Sequence, residues 1–171
     1  MFKDISPHAI GGNVFDMIAK EWFLITAQKP DGSFNTMTGA WGGLGINWGK
    51  PSFHCFVRPQ RYTYEFTEAC ERMTFSFFGD RFRDDLLLLG SKSGRDGDKL
   101  VQTALTPIND GDVTYFKQAR LVLIGRRRYT ATVQPDGFFD EGEYARQYPD
   151  GDTHRVYICD IERVLVQEEN T

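Results

Sequence analysis

Residues 22–45 read WFLITAQKPDGSFNTMTGAWGGLG and set the pattern for the chain. Residues 22–26 are aromatic, aliphatic and β-branched, which favours a β-strand. The Pro30-Asp31-Gly32 sequence that follows is typical of a turn, so residues 35–38 can form the second strand of a hairpin. The glycines of residues 39–45 indicate either a bend between strands or a surface where another group approaches the backbone closely.

Strand-like segments recur at short intervals after this hairpin. Residues 73–77 alternate polar and apolar side chains, which is the period of a half-buried strand. We predict further strands over residues 52–57, 73–77, 114–116, 119–125, 128–133 and 154–161, the last continued by 164–166. We predict helices over residues 14–20, 63–72 with Thr63 as its N-cap, 96–104 and 141–147. This pattern predicts a mainly β fold, an antiparallel barrel with a few inserted helices.

Length and composition exclude several classes of protein. The 171 residues are expected to form one domain over residues 1–171, with a polar tail from about Gln167. The formal charge of −4 argues against a nucleic-acid partner. The longest aliphatic run, Leu86 to Leu89, is far shorter than a membrane span, and the first residues lack the apolar core of a signal peptide. We therefore expect a soluble cytoplasmic protein with no membrane partner.

Cysteine and histidine spacing gives no sign of metal binding or of nucleophilic catalysis. The three cysteines form no C-x-x-C pair, and no two of the three histidines share metal-ligand spacing, so no metal site is expected. The chain has no G-x-S-x-G sequence. His154 begins a predicted strand after a polar loop, where it faces either a ligand or solvent.

Two segments combine residues that suit a phosphate group. Residues 58–63 place two arginines and a threonine hydroxyl at a predicted helix start, where free backbone N–H groups bind anions. Residues 90–99 are rich in glycine and serine and contain two lysines. The alternatives are solvated arginines beside an ordinary helix cap and a surface loop before a charged helix start, and the residues alone leave both open.

Several motifs in order resemble the flavin reductase-like family, and among its members the flavoredoxin type. The motifs are NTMT at 35–38, WGGLG at 41–45, WGKP at 48–51, RPQRYT at 58–63 and SGRDGDK at 93–99. They match over about residues 22–106, and HRVYI at 154–158 resembles the late strand of the family. Members often carry Gly-Glu after that strand's Tyr-Ile, whereas this chain has Cys159-Asp160.

The resemblance implies a Greek-key-like FMN-binding split β-barrel, usually a homodimer with the flavin near the subunit interface. It implies that the isoalloxazine ring is lined by Asn35, Thr36, Met37 and Thr38, with Trp41 packed beside it. It implies that the phosphate and ribityl chain are held by Arg58, Arg61, Tyr62 and Thr63, with further contacts from Ser93, Lys99 and His154. Because the flavin carries the redox chemistry, no catalytic side chain is expected, and His154 is the single candidate.

Three functions are compatible with these features. The first is an NAD(P)H-dependent flavin reductase, an oxidoreductase in which NADH or NADPH passes hydride to FMN. The alternative is a flavoredoxin-like FMN electron carrier that works with a protein redox partner. The third is a small barrel that binds another planar ligand, with the motifs as coincidence.

Overall fold

Ten strands and four helices make up the fold in a computed structural model that describes residues 1–168. Residues 169–171, which belong to the predicted polar tail, lie outside the described residues. The strands are β1 (Phe2–Ile5), β2 (Phe23–Gln28), β3 (Phe34–Gly39), β4 (Gly42–Asn47), β5 (Lys50–Val57), β6 (Arg72–Phe77), β7 (Pro107–Asp110), β8 (Val113–Phe116), β9 (Leu121–Thr132) and β10 (Arg155–Gln167). The helices are α1 (Val14–Asp16), α2 (Tyr62–Ala69), α3 (Arg83–Ser91) and α4 (Glu141–Gln147).

One antiparallel sheet carries eight of the strands. Its order is β3-β2-β6-β9-β10-β5-β4, and β1 pairs with the second half of β10. Strands β7 and β8 form a separate two-stranded ribbon. Within residues 1–168 no hydrogen-bonded ladder joins β3 to β4, so the sheet is open between them. The mainly β, antiparallel fold class is confirmed, and so is the predicted β2–β3 hairpin.

Phenyl rings fill the interior of the curved sheet. Phe53 and Phe75 have ring centroids 4.4 Å apart, and Phe23 packs edge-on against Phe53 at 5.1 Å. All three side chains are fully buried. On the other side of the sheet, Leu86 and Leu89 of α3 enter a second buried cluster. Helix α3 is thereby held against the outer side of β3, where the candidate site lies.

Two predicted helices differ from the structure. Helix α2 begins at Tyr62 and its N-cap is Arg61, so the assignment of Thr63 as N-cap was wrong. The helix ends at Ala69, because Cys70 adopts an extended conformation and β6 begins at Arg72. The predicted helix over residues 96–104 is replaced by two short 3₁₀ turns, since Gly97 adopts a φ of 133° that ends the first of them.

Other elements were missed or divided. Helix α3 was not predicted, because residues 83–91 show only a short aliphatic run. Residues 42–47 form edge strand β4 rather than a bend, and Gly42 sits so close to the His54 carbonyl that no side chain fits. The predicted strands 119–125 and 128–133 are one continuous strand, β9. The predicted helix 14–20 is α1 followed by a π-helical turn over Met17–Glu21.

Candidate functional site

A cleft of about 500 Å³ opens between the edge of β3, the start of α2 and the loop that follows α3. Its charged lining residues are all basic, although the chain as a whole is acidic. They are Arg58, Arg61, Lys92 and Lys99. The full lining is Asn35, Met37, Arg58, Gln60, Arg61, Tyr62, Thr63, Leu89, Ser91, Lys92, Ser93, Gly94 and Lys99. Such a surface favours an anionic ligand.

The first turn of α2 faces this cleft without a side-chain cap. Arg61 is the N-cap, and its side chain makes no capping hydrogen bond. The side chain donates instead to the Gly90 carbonyl at 2.8 Å. Thr63, on the first turn, is buried, and its hydroxyl accepts a hydrogen bond from Asn35 Nδ2 at 2.7 Å. An uncapped helix start presents N–H donors and the positive end of the helix dipole to an anion.

Gly94 closes one wall of the cleft against β3 and α2. A Cβ added to Gly94 would collide with Asn35 Oδ1 and lie 2.9 Å from Tyr62 Cδ1. The neighbouring Arg95 fastens this loop to α2, donating to the Gln60 carbonyl at 2.9 Å and to Glu65 Oε1 at 2.6 Å. The absence of a side chain at Gly94 therefore shapes the cleft.

Lys99 supplies a buried ammonium group to the cleft. Its Nζ donates to the Leu89 carbonyl at 2.9 Å and to the Lys92 carbonyl at 3.1 Å. Burial, together with the charge of Arg61, lowers the pKa of Lys99 to about 8. An ammonium has three donors and these carbonyls take two, so a third remains for a ligand.

Arg58 is only partly available to a ligand, because it also anchors the segment between β9 and β10. Its guanidinium forms an ion pair with Asp152 and donates to the Gln147 carbonyl at 3.1 Å. It also lies over the ring of Tyr148, 5.4 Å from the centroid. We infer that Arg58 joins the cleft to this segment.

Trp41 and His154 form an aromatic cluster next to Arg58. Their ring centroids are 4.9 Å apart, and Phe56 packs on His154 at 6.0 Å. The hydroxyl of Tyr148 is hydrogen-bonded to His154 Nδ1 at 3.0 Å. Burial, reinforced by the charge of Arg58, lowers the pKa of His154 to about 4, so its imidazole is neutral near pH 7.

The structure brings most of the predicted site residues together. Eight of them line the cleft, namely Asn35, Met37, Arg58, Arg61, Tyr62, Thr63, Ser93 and Lys99. The Thr36 hydroxyl is hydrogen-bonded to the Thr26 hydroxyl within the sheet, with the two oxygens 2.9 Å apart. Thr38 donates to the Leu86 carbonyl at 2.5 Å. Trp41 and His154 lie outside this cleft, in the cluster described above.

Five further lining residues were not named individually as site residues. They are Gln60, Leu89, Ser91, Lys92 and Gly94. Four of them lie within the segments 58–63 and 90–99 that the sequence indicated as suited to a phosphate, and Leu89 lies outside both. Leu89 and Ser91 belong to α3, which was not predicted.

A wider cleft of about 1050 Å³ lies beyond Tyr62 and Gly94. Its lining includes Asp31 and Asp98 as well as lysines, and several apolar side chains. Because it mixes both signs of charge, it is less suited to a phosphate than the first cleft.

Comparison with known proteins gives matches among solved structures only. No family model and no curated protein sequence matches the chain. The flavoredoxin of Desulfovibrio vulgaris (Miyazaki F) matches with a TM-score of 0.66 and 21% identity, over 86% of this chain and 69% of that one. Flavoredoxin from Methanosarcina acetivorans matches with a TM-score of 0.66 and 19% identity, over 95% and 76%. An FMN-binding domain of a flavin reductase-like enzyme from Shewanella baltica OS155 matches with a TM-score of 0.67 and 13% identity, over 97% and 77%.

The chain has the split-barrel fold of the flavoredoxin and flavin reductase-like proteins. The fold suggested by the sequence motifs is thereby confirmed. In this split barrel the opening of the sheet lies between β3 and β4, and the basic cleft runs along the β3 side of it. None of the helices within residues 1–168 has the length and apolar character needed to cross a membrane.

Proposed function

We propose that the protein is an FMN-binding oxidoreductase whose basic cleft holds the flavin phosphate. The observation that carries the proposal is the uncapped start of α2, which faces a cleft that, within residues 1–168, is lined by four basic side chains and by no acidic one. A monophosphate needs cationic groups and N–H donors, and this cleft offers both. Gly94 supports the assignment, since a side chain there would narrow the cleft.

The open edge of β3 suits the flat ring of the flavin. Strand β3 pairs with β2 on one side only, so its other edge carries backbone N–H and C=O groups without a strand partner in residues 1–168. Such groups complement the donors and acceptors of a flavin ring. Asn35 and Met37 lie on this strand and line the cleft, and Trp41 follows it in the sequence. Bound FMN would supply two-electron hydride chemistry, and the protein would supply binding and orientation.

We propose NADH or NADPH as the hydride donor. The aromatic cluster of Trp41 and His154 is uncharged near neutral pH and lies beside Arg58 of the cleft. These groups provide an uncharged aromatic wall against which a ring can stack, and no nucleophilic side chain is needed. Electron transfer to a protein redox partner is the alternative, and the experiment below separates the two.

We also propose that the protein is a homodimer. Ile46 and Trp48 are more than half exposed, and Tyr129 is half exposed. Trp48 and Tyr129 pack together with ring centroids 5.9 Å apart. Ile46 belongs to edge strand β4, and Trp41, at the site, immediately precedes that strand. Exposed apolar groups next to an open sheet edge are typical of a surface that a partner covers.

The first experiment measures FMN and riboflavin affinity of the wild type, Arg61→Ala and Arg81→Ala. Arg81 is an exposed arginine that lines none of the clefts described above, so it serves as the matched control. We expect Arg61→Ala to weaken FMN binding by about tenfold or more, because a charge-assisted contact is lost. The affinity for riboflavin, which lacks the phosphate, should fall much less in Arg61→Ala. Equal FMN affinity in all three proteins would remove Arg61 from the phosphate site.

The second experiment titrates the FMN-loaded protein anaerobically with NADH and NADPH while the visible flavin absorption is followed. Bleaching faster than that of free FMN would establish nicotinamide-linked reduction and identify the preferred donor. A bound flavin that stays oxidised would contradict the donor proposal and favour the electron carrier.

A further inference from the structure

Trp22 has a backbone conformation that bulky residues rarely adopt. Its φ is 66° and its ψ is 173°, and it connects the π-helical turn of Met17–Glu21 to β2. A left-handed φ in a residue other than glycine is costly, and it persists where the surroundings impose it, often beside a ligand. π-Helical turns are also frequent at functional sites. The conformation of this segment therefore calls for a functional explanation.

Arg83 contacts both the indole ring of Trp22 and the backbone of the turn before it. Its guanidinium carbon lies 3.1 Å from the ring centroid of Trp22. The same guanidinium donates to the carbonyl of Lys20 and, at 3.3 Å, to that of Glu21. The last two residues of the turn and the ring are thus fixed by one side chain. Trp22 also packs against the second buried cluster and is partly exposed, so the exposed part of its ring is a preorganised surface.

The side chain of Trp22 lines an apolar cleft of about 330 Å³. The lining is Trp22, Thr38, Gly39, Ala40, Arg61, Leu86, Leu87, Gly90 and Ser91. Among residues 1–168, Arg61 is the only charged residue of this lining. Leu87 contributes an exposed apolar side chain, 59% accessible, at the rim. The volume matches the lower end of small-molecule sites, and the lining suits an uncharged ring.

The floor of this cleft is rigid. Thr38 donates to the Leu86 carbonyl at 2.5 Å, which ties β3 to α3. A Cβ added to Gly90 would lie 3.2 Å from the Cβ of Thr38, so the helix and strand already touch closely at this point.

The apolar cleft continues the basic cleft along β3. Arg61 and Ser91 line both. Asn35 and Met37 of β3 line the basic cleft, and Thr38 and Gly39 of the same strand line the apolar one. A group bound in the apolar cleft would therefore lie next to a flavin ring placed along β3.

We propose that the Trp22 cleft binds the planar, uncharged aromatic ring of a second substrate, with Trp22 as the residue that selects it. The proposal rests on the proposed FMN function for the identity of the neighbouring group, and on the Trp22 cleft for the ring. The flat indole and apolar walls favour a planar ring over a branched ligand. The described lining contains no acidic side chain to bind a cation, and the Arg61 guanidinium donates to the Gly90 carbonyl, so a neutral ring fits this cleft.

The test uses 2-methyl-1,4-naphthoquinone as a planar, uncharged probe and measures its affinity for the flavin-free protein by equilibrium dialysis. We expect Trp22→Ala to weaken binding by about tenfold, because the stacking surface is lost. Leu87→Lys places a charge at the rim without altering Trp22 and is expected to weaken binding similarly. Val101→Lys introduces the same charge at an exposed position outside this cleft. It is the matched control and should leave the affinity for the probe unchanged.

FMN affinity of the same variants separates this proposal from the proposed function. We expect FMN binding to change less than about twofold in Leu87→Lys and Trp22→Ala, since the phosphate site is untouched. Probe affinity equal to the wild type in both variants would overturn the proposal. A parallel loss of FMN affinity would also overturn it, because Trp22 would then belong to the flavin pocket. A wild type that takes up the probe but no FMN would refute the proposed function and leave the ring site standing.

Discussion

Gly94 is the residue at which a single added carbon tests the cleft most directly. We expect Gly94→Ala to weaken FMN binding by about tenfold or more, because the new Cβ would meet Asn35 Oδ1 and Tyr62. Both neighbours line the cleft, and Asn35 is hydrogen-bonded to Thr63, so neither can retreat without cost. A titration of the flavin-free protein with FMN, followed by flavin fluorescence, measures the effect.

Gly11→Ala is the control for this substitution. Gly11 lies between β1 and α1, its φ is not positive, and a Cβ there would meet nothing within 4 Å. FMN affinity should stay at the wild-type value. If Gly94→Ala also bound FMN as the wild type does, the wall formed by Gly94, Asn35 and Tyr62 would not contact the ligand.

His154 makes the stability of the protein depend on pH. Burial and the nearby Arg58 lower the pKa of its imidazole from 6.5 to about 4. The unfolded chain therefore takes up a proton near pH 6.5, whereas the folded protein does so only near pH 4. The contribution of neutral His154 is complete above pH 6.5 and is lost progressively as the pH falls towards 4.

Replacement of His154 by Gln should reduce this dependence. We expect the fall in unfolding free energy between pH 7.5, above the unfolded-state pKa of 6.5, and pH 4.5, just above the folded-state pKa of about 4, to be smaller in His154→Gln than in the wild type. Urea denaturation at both pH values measures it. Identical losses would mean that the imidazole titrates at its ordinary value. Carboxylates such as Asp152, whose pKa is lowered mainly by its hydrogen bond from Arg58, contribute equally to both proteins.

At the scale of elements, local pattern predicted the sheet better than the helices. The alternation of residues 73–77 and the apolar run of 52–57 correspond to β6 and β5, because side-chain period and burial agree there. The predicted start of α2 was wrong, because Arg61, whose backbone is extended, precedes the first helical residue, Tyr62. Which residue begins a helix depends on backbone angles, and no residue type fixes those angles uniquely.

Helix α3 and strand β4 show why the rest was not predicted. Residues 83–91 have a short apolar face that is buried only because β3 and the β7–β8 ribbon cover it, which is a tertiary effect. Strand β4 is rich in glycine, which disfavours strands, and it forms because β5 offers a pairing edge. The cleft depends on the first of these effects, since α3 supplies Leu89 and Ser91 to its lining.

At the scale of the whole molecule, the motifs predicted better than composition which segments the fold brings together. Segments distant in sequence, around Asn35, Thr63 and Lys99, meet at one cleft, which only a folding pattern can reveal. Trp41 and His154 were grouped with them and lie in a neighbouring cluster. Trp22 was treated only as part of a strand, because its left-handed backbone leaves no mark in the sequence.

The proposed homodimer follows from the open side of the sheet. Ile46 and Trp48 are 62% and 61% exposed and lie on and next to edge strand β4. Trp48 has a φ of 49° at the β4–β5 turn, and its ring packs on Tyr129. A monomer would leave this apolar group and the backbone of β4 in water, where an edge strand invites association. A second copy of the chain would cover both.

Sedimentation of the wild type and of the Ile46→Lys/Trp48→Lys variant tests this. We expect the wild type to sediment at about twice 19.6 kDa at micromolar concentration and the variant as a monomer, because two buried charges would oppose the contact. Val101→Lys adds a charge at a position that is 75% exposed and lies outside β4 and the β4–β5 turn, and it should remain dimeric. A wild type that stays monomeric over the whole range would refute the dimer. If the variant also binds FMN more weakly while Val101→Lys does not, the contact supports the flavin site, as expected when Trp41 leads directly into β4.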